Sequence, residues 1–291
     1  MGKDLYENSP LAKELFEKAN DILGYRITDI MFEGTDEDLR QTKVTQPAVF
    51  LHSVISALCM GDAFQPEMTA GHSLGEFSAL VAAGALSFED GLKLVYARAM
   101  AMQKACEAQP STMAAIIALP DEKVEEICAS VAAEGEVCVA ANYNCPGQIV
   151  ITGEKAAVDA AAAACSEAGA KRCVPLKVSG PFHSAMLKGA GEKLADALES
   201  VEIHDIKVPY ITNVTADYVK SPADVKDYLT QQVSSSVRWQ QTIERLIADG
   251  ADEFVEIGPG RSLSGFMRKI NRDVKVVNID KLEDFEKYVN R

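Results

Sequence analysis

The chain has 291 residues, 47% of them hydrophobic, and a formal net charge of −14 at pH 7. That length and apolar share suffice for one large domain, or a large one with a smaller companion. The charge argues against nucleic acid or an anionic membrane surface as a partner, and with no run of roughly 18 apolar residues and no basic stretch followed by an apolar one at the start, the expectation is a soluble protein without an export signal. Seven cysteines with no Cys-x-x-Cys pair argue against structural zinc and for a reducing compartment, so the expectation is a cytoplasmic protein without a metal.

Taken in chain order, Leu11, Leu15, Phe16, Ala19 and Ile22 recur at helical spacing over 10–23. A second helix is expected over 47–60, with Thr45 as its cap. An apolar approach at 68–70 leads into Gly71-His72-Ser73-Leu74-Gly75, and a helical run follows over 76–86. A Gly-x-Ser-x-Gly between strand and helix lifts the serine onto a sharp turn, its hydroxyl exposed and the next N–H free to meet an oxyanion. Glycines are expected on both sides because a side chain there would collide with the strand or the helix. The same pentad also serves as a structural turn without chemistry. Ser87 and Asp90 read as a capping box for a helix over 88–107.

Between Pro110 and the pair Gly180-Pro181 the pattern changes. Strands over 113–119, 137–142, 148–153 and 172–178, with helices over 121–134 and 154–168, give the βαββαβ order of a ferredoxin-like unit. Helical spacing returns over 184–200. Strands at 208–212, 253–257 and 274–279 then alternate with helices near 222–232 and 238–249. Such alternation predicts a parallel sheet, so the fold class is α/β: a large parallel-sheet unit over 1–110 and 180–291, with residues 111–179 inserted as the small one.

A serine at neutral pH needs a base within reach, and only four histidines exist. His52 lies in an apolar helix and His204 in a polar connection, where packed or solvated roles suffice. His72 flanks the serine, and neighbours on a turn diverge. His183 follows a strand and the turn Ser179-Gly180-Pro181-Phe182, at the carboxyl edge where α/β sites form; a structural histidine would read the same way. Arg98 borders the apolar stripe of the 88–107 helix, beside Val95 and Met102. Turned inward, its fork would call for a carboxylate; reaching outward, it would snorkel to water.

Together these residues resemble the malonyl-CoA:acyl carrier protein transacylases of fatty-acid synthesis and the acyltransferase domains of polyketide synthases. The resemblance rests on Thr45-Gln46-Pro47-Ala48, the stretch AGHSLGE at 70–76, Arg98, Asn144 with Pro146-Gly147-Gln148, Phe182-His183, Arg238-Trp239 and Glu256-Ile257-Gly258-Pro259-Gly260. It implies an α/β-hydrolase-like large subdomain, Ser73 as nucleophile, His183 as base and Arg98 as clamp for a malonyl carboxylate. The backbone carbonyl of Gln232 would orient His183, Leu74 would supply one oxyanion N–H, and the bulk of Phe182 would exclude an α-methyl branch. Malonyl-CoA is then the substrate with no bound cofactor, and acyl carrier protein the partner. Lys171, Arg172, Lys177, Lys188 and Lys193, the basic residues nearest the inferred groove, are candidates for docking that acidic carrier. The resemblance starts at about Met1 to Leu5, past the family's opening strand and its Gly-Gln-Gly-x-Gln loop, which implies that a strand and a second oxyanion donor are missing. Two other readings stay open at this point: a serine thioesterase or esterase, and a form that binds CoA or carrier without turnover.

Overall fold

The computed structural model describes residues 1–108, 110–132, 135–178 and 180–291; the expected helix end at 133–134 and the turn residue Ser179 lie outside the described residues. Helices α1 (Lys3–Asn8), α2 (Pro10–Leu23), α3 (Ile27–Glu33), α4 (Asp36–Arg40) and α5 (Thr42–Cys59) open the chain. α2 starts where Ser9 accepts from the Ala12 N–H at 3.2 Å and Pro10 occupies the first turn, and it stops at Gly24 with φ 73°. α5 begins well before the expected start. Thr45 is not its cap: it lies inside the helix, its hydroxyl turned back to the Gln41 carbonyl at 3.1 Å, and Gln41 holds the cap position. The apolar periodicity becomes legible only after Pro47, which sits early enough in α5 to forgo one backbone bond without ending the helix.

β1 (Thr69–Ala70) and α6 (Gly75–Ala82) flank the serine turn, and α7 (Phe88–Ala108) crosses behind them. The Ser87 hydroxyl accepts from the Asp90 N–H at 3.0 Å at the start of α7. Phe16, Phe50, Leu51, Ile55, Phe77, Leu80, Leu92 and Leu94 are buried together where α2, α5, α6 and α7 meet.

The inserted unit comprises β2 (Ser111–Ile117), α8 (Asp121–Ala132), β3 (Cys138–Cys145), β4 (Gln148–Glu154), α9 (Lys155–Glu167) and β5 (Arg172–Pro175). Its strands form an antiparallel sheet in the order β3-β4-β2-β5, the ferredoxin-like arrangement. Ile116, Val124, Cys128, Ile149, Ile151, Val158, Ala161 and Cys165 give it a core of its own.

The chain then continues through α10 (Lys188–Glu199), β6 (Tyr210–Ile211), α11 (Pro222–Gln232), α12 (Trp239–Ala248), β7 (Glu253–Ile257), α13 (Ser262–Ile270), β8 (Lys275–Ile279) and α14 (Leu282–Val289). A seam joins the two units: the Tyr143 N–H donates to the Val237 carbonyl at 2.9 Å, the Val237 N–H to the Ala141 carbonyl at 2.8 Å, and the Ser236 hydroxyl to the Ala140 carbonyl at 2.7 Å.

The parallel strands differ from the single sheet expected. β1 pairs with β6 and β7 with β8, both parallel, as two separate pairs. Among the described residues no strand joins them, and residues of β1 and β7 line a cleft of about 2330 Å³. The side chains of β7 are only half-buried, as befits a strand with one open edge.

Candidate active site

Ser73 sits between β1 and α6 with φ 52°, a left-handed conformation that a non-glycine residue holds only when its surroundings enforce it. The Asn213 side chain does the enforcing, accepting from the Ser73 N–H at 2.7 Å and donating to the Gly71 carbonyl at 2.7 Å. The expectation that both flanking glycines are required is half right. A Cβ on Gly71 would lie 1.8 Å from the Gly75 carbonyl oxygen, whereas one on Gly75 would meet nothing within 4 Å. The elbow closes on its strand side, while Gly75 faces open space at the head of α6.

His183 also has a left-handed backbone, φ 60°, and its Nε2 lies 2.8 Å from Ser73 Oγ. On the far side of the ring, Nδ1 lies 2.9 Å from the Gln232 carbonyl and 3.1 Å from that of Ser235. Carbonyls only accept, so Nδ1 carries the proton and Nε2 presents its lone pair to the serine. Burial, reinforced by the Arg98 charge, pushes the His183 pKa down to about 3, so the ring is a neutral base at pH 7.

Arg98, 1% exposed on α7, does not snorkel. Its Nη2 donates to Ser73 Oγ at 3.0 Å and to Gln232 Oε1 at 3.1 Å, and its Nη1 to Gln46 Oε1 at 2.6 Å. All three acceptors are uncharged, and the buried Nε–H has none among the described residues. Burial lowers its pKa to about 10, and the field of Glu76 opposes that shift. A buried guanidinium with neutral partners and an orphan donor is chemically suited to receive an anion.

The other sequence-derived candidates are placed as follows. Leu74 holds the cap position before α6, and no described acceptor faces its N–H. Phe182 is half-buried and lines the cleft with Ser73, Arg98 and His183. Lys171, Arg172, Lys177, Lys188 and Lys193 are all exposed; of the five only Lys177 lines the cleft, and Lys193 pairs with Asp196 at 3.4 Å. His72 turns to Asn144 Oδ1 at 2.8 Å and packs against Trp239, while His52 lies 2.8 Å from the Asp280 carbonyl. No group of three His, Cys, Asp or Glu residues is placed to hold a metal among the described residues.

Four contributors escaped the sequence reading: Gln46, Asn213, the Gln232 side chain and Glu76. Gln46 and Glu76 belong to stretches already noted, but a polar residue in a motif announces neither its rotamer nor its partner. A lone carboxylate heading an apolar helix is the one signal that could have singled out Glu76.

Comparison with known proteins shows the family to which the chain belongs. The family model for the acyl transferase domain matches residues 1–279. A malonyl CoA-acyl carrier protein transacylase of Bacillus subtilis (strain 168) is 44% identical over 287 residues, covering 98% of this chain and 90% of the relative. One from Staphylococcus aureus (strain MRSA252) is 41% identical over 284 residues, covering 98% and 92%. Among solved structures, MCAT from Streptococcus pneumoniae superposes with a TM-score of 0.94 at 40% identity, covering 100% of this chain and 94% of that one. A malonyl-transacylase in complex with its type II PKS acyl-carrier protein gives 0.95 at 36% identity, covering 100% and 94%. The chain belongs to the acyl transferase domain family, in the branch of the malonyl CoA-acyl carrier protein transacylases.

Proposed function

We propose that this protein moves a malonyl group from malonyl-CoA to the phosphopantetheine thiol of an acyl carrier protein through a malonyl ester on Ser73. One observation carries the reading: Ser73 Oγ stands 2.8 Å from a neutral imidazole nitrogen and 3.0 Å from a buried guanidinium. A nucleophile, its base and an anion receptor meet at one atom. The relatives named above support the substrate pair.

As Ser73 Oγ attacks the thioester carbonyl, its proton passes to His183 Nε2, and the imidazolium is held by the two carbonyls at Nδ1. The new C–O bond forms, the oxyanion meets the Leu74 N–H, and the C–S bond breaks as CoA leaves with the proton from Nε2. The carrier thiol then gives its proton to Nε2 and attacks the ester, and Ser73 recovers the proton as it departs. Each step uses the chain's own groups and needs no cofactor. Arg98 takes the free carboxylate, which selects malonyl over acetyl and holds the reacting carbonyl in place. Phe182 crowds the α-carbon against a methyl branch.

The carrier docks by the exposed basic residues Lys171, Arg172, Lys177, Lys188 and Lys193. Residues 111–179 form the small unit, inserted between 1–110 and 180–291. The action is cytoplasmic, a reading supported by seven free cysteines and by the lack, among the described residues, of any helix long and apolar enough to cross a membrane.

Trapping the acyl-enzyme tests the reading. Labelled malonyl-CoA should add one malonyl group to the protein, seen by intact mass, and added holo-carrier should remove it as malonyl-carrier. Ser73→Ala should take no label. Release of free malonate without carrier would make the protein a hydrolase, and equal labelling of the mutant would displace Ser73.

A further inference from the structure

Glu76 lies three residues beyond Ser73 in the first turn of α6, with 0% of its surface exposed, and the chemistry proposed above does not use it. A carboxyl group buried at that depth is held by its partners or it destabilises the fold. Oε2 accepts from the Gln232 side-chain Nε2 at 2.8 Å and from the Asn213 backbone N–H at 3.1 Å, and Oε1 from the Tyr210 hydroxyl at 3.1 Å.

Gln232 bears on Ser73, Arg98 and His183 together, the first two through its side-chain amide and the third through its backbone. Its Nε2 also donates to the Ser73 carbonyl at 2.7 Å, its Oε1 accepts from Arg98 Nη2 at 3.1 Å, and its backbone carbonyl lies 2.9 Å from His183 Nδ1. A glutamine amide has two ends of nearly equal size, so only its neighbours decide which end points where. The Asn213 N–H can only donate, so Oε2 of Glu76 is an acceptor even when the carboxyl carries a proton on Oε1. Facing it and the Ser73 carbonyl, Gln232 must present its NH₂. Reversed, the amide oxygen would confront two acceptors and the NH₂ would confront the Arg98 guanidinium.

We infer that Glu76 is a positioning residue: it fixes the orientation of the Gln232 amide, and through it the seat of the Arg98 guanidinium beside Ser73. This deepens, and rests on, the reading of the site as a malonyl transferase. It implies that loss of the Glu76 acceptor damages malonyl transfer more than acetyl transfer, because the seat of Arg98 matters only to an acyl group with a free carboxylate.

A double-mutant cycle tests it. Transfer from malonyl-CoA and from acetyl-CoA is measured in the wild type, Glu76→Met, Gln232→Leu and the double variant. Glu76→Met removes both acceptor oxygens at similar length, and Gln232→Leu keeps the backbone carbonyl for His183 and removes only the amide. Each single variant should lower kcat/KM for malonyl-CoA roughly 10- to 100-fold, the size expected for an unmade buried hydrogen bond. The malonyl-to-acetyl ratio should fall with it, and Glu76→Met should add little in the Gln232→Leu background. Equal loss for both substrates, or the same Glu76→Met factor in both backgrounds, would reduce Glu76 to a structural group and overturn the inference. If Glu76→Met does not fold, Gln232→Leu alone decides: an unchanged malonyl-to-acetyl ratio means the amide seats nothing. A wild type that accepts no malonyl group overturns the functional reading and this inference together, whereas an active wild type with unaffected variants overturns only the inference.

Discussion

At the scale of single residues, the proposed site pairs a cation kept out of water with an imidazole kept neutral. Arg98→Ala removes the guanidinium beside Ser73 Oγ, so malonyl-CoA should lose about 10²-fold or more in kcat/KM while acetyl-CoA loses far less. Steady-state competition between the two thioesters measures the ratio, and an unchanged value would deny Arg98 a role in selection. His183 leads to a pH prediction. Its native pKa of about 3 lies below the ordinary imidazole value, so the unfolded chain binds the extra proton first as pH falls. Its contribution to stability is therefore complete above about pH 6.5 and declines through the window down to about pH 3. His52 and His72, both lowered by burial, act in the same direction. The melting temperature should drop between pH 7 and pH 5, and the acid limb of kcat/KM should lie below the usual histidine range. A limb centred near pH 6.5 would mean that the ring titrates as if it were in water. A motif, the scarcity of histidine and a helical stripe singled out Ser73, His183 and Arg98 in the sequence, each with a structural reading still open, and folding brings the three side chains together. Gln46 and Asn213 were not, because their importance lies in where an amide points after folding.

Among elements, those with long periodic signals were read well. α2 and α7 fall where apolar spacing put them, and the small sheet has the expected order of strands and helices. The signal failed where it was short or interrupted: α1, α3 and α4 span too few turns to show a stripe, and Pro47 hid the first turn of α5. β1 and β6 have two residues each, so the apolar runs around them overstate the paired length. The elbow between β1 and α6 offers a contrast between two glycines of the same motif. Gly71→Ala forces a methyl into the Gly75 carbonyl, so folding stability should fall by at least about 1–3 kcal/mol, the cost typical of overpacking, seen as a lower soluble yield or a lower melting temperature. Gly75→Ala, in open space at the head of a helix, should fold at least as stably as the parent. Thermal melts of the pair settle it, and comparable losses would mean that both glycines are demanded by the turn.

For the whole molecule, charge is the dominant fact. At −14 the protein repels an acidic carrier at long range, so docking must rely on a local excess of positive charge. Reversing Lys171 and Lys177 to Glu should raise KM for carrier, leaving KM for malonyl-CoA nearly unchanged. Movement of both constants together would place the docking surface elsewhere. Residues 232–237 give the architecture a kinematic character. The carbonyls at 232 and 235 hold the imidazole, and the N–H and carbonyl at 237 belong to the small sheet. The two attachments are at most five residues apart, so the stretch works as a connecting rod between a platform and a ring. A tilt of the small unit must either carry the imidazole with it or break a hydrogen bond, which ties the position of the nitrogen facing the serine hydroxyl to the small sheet.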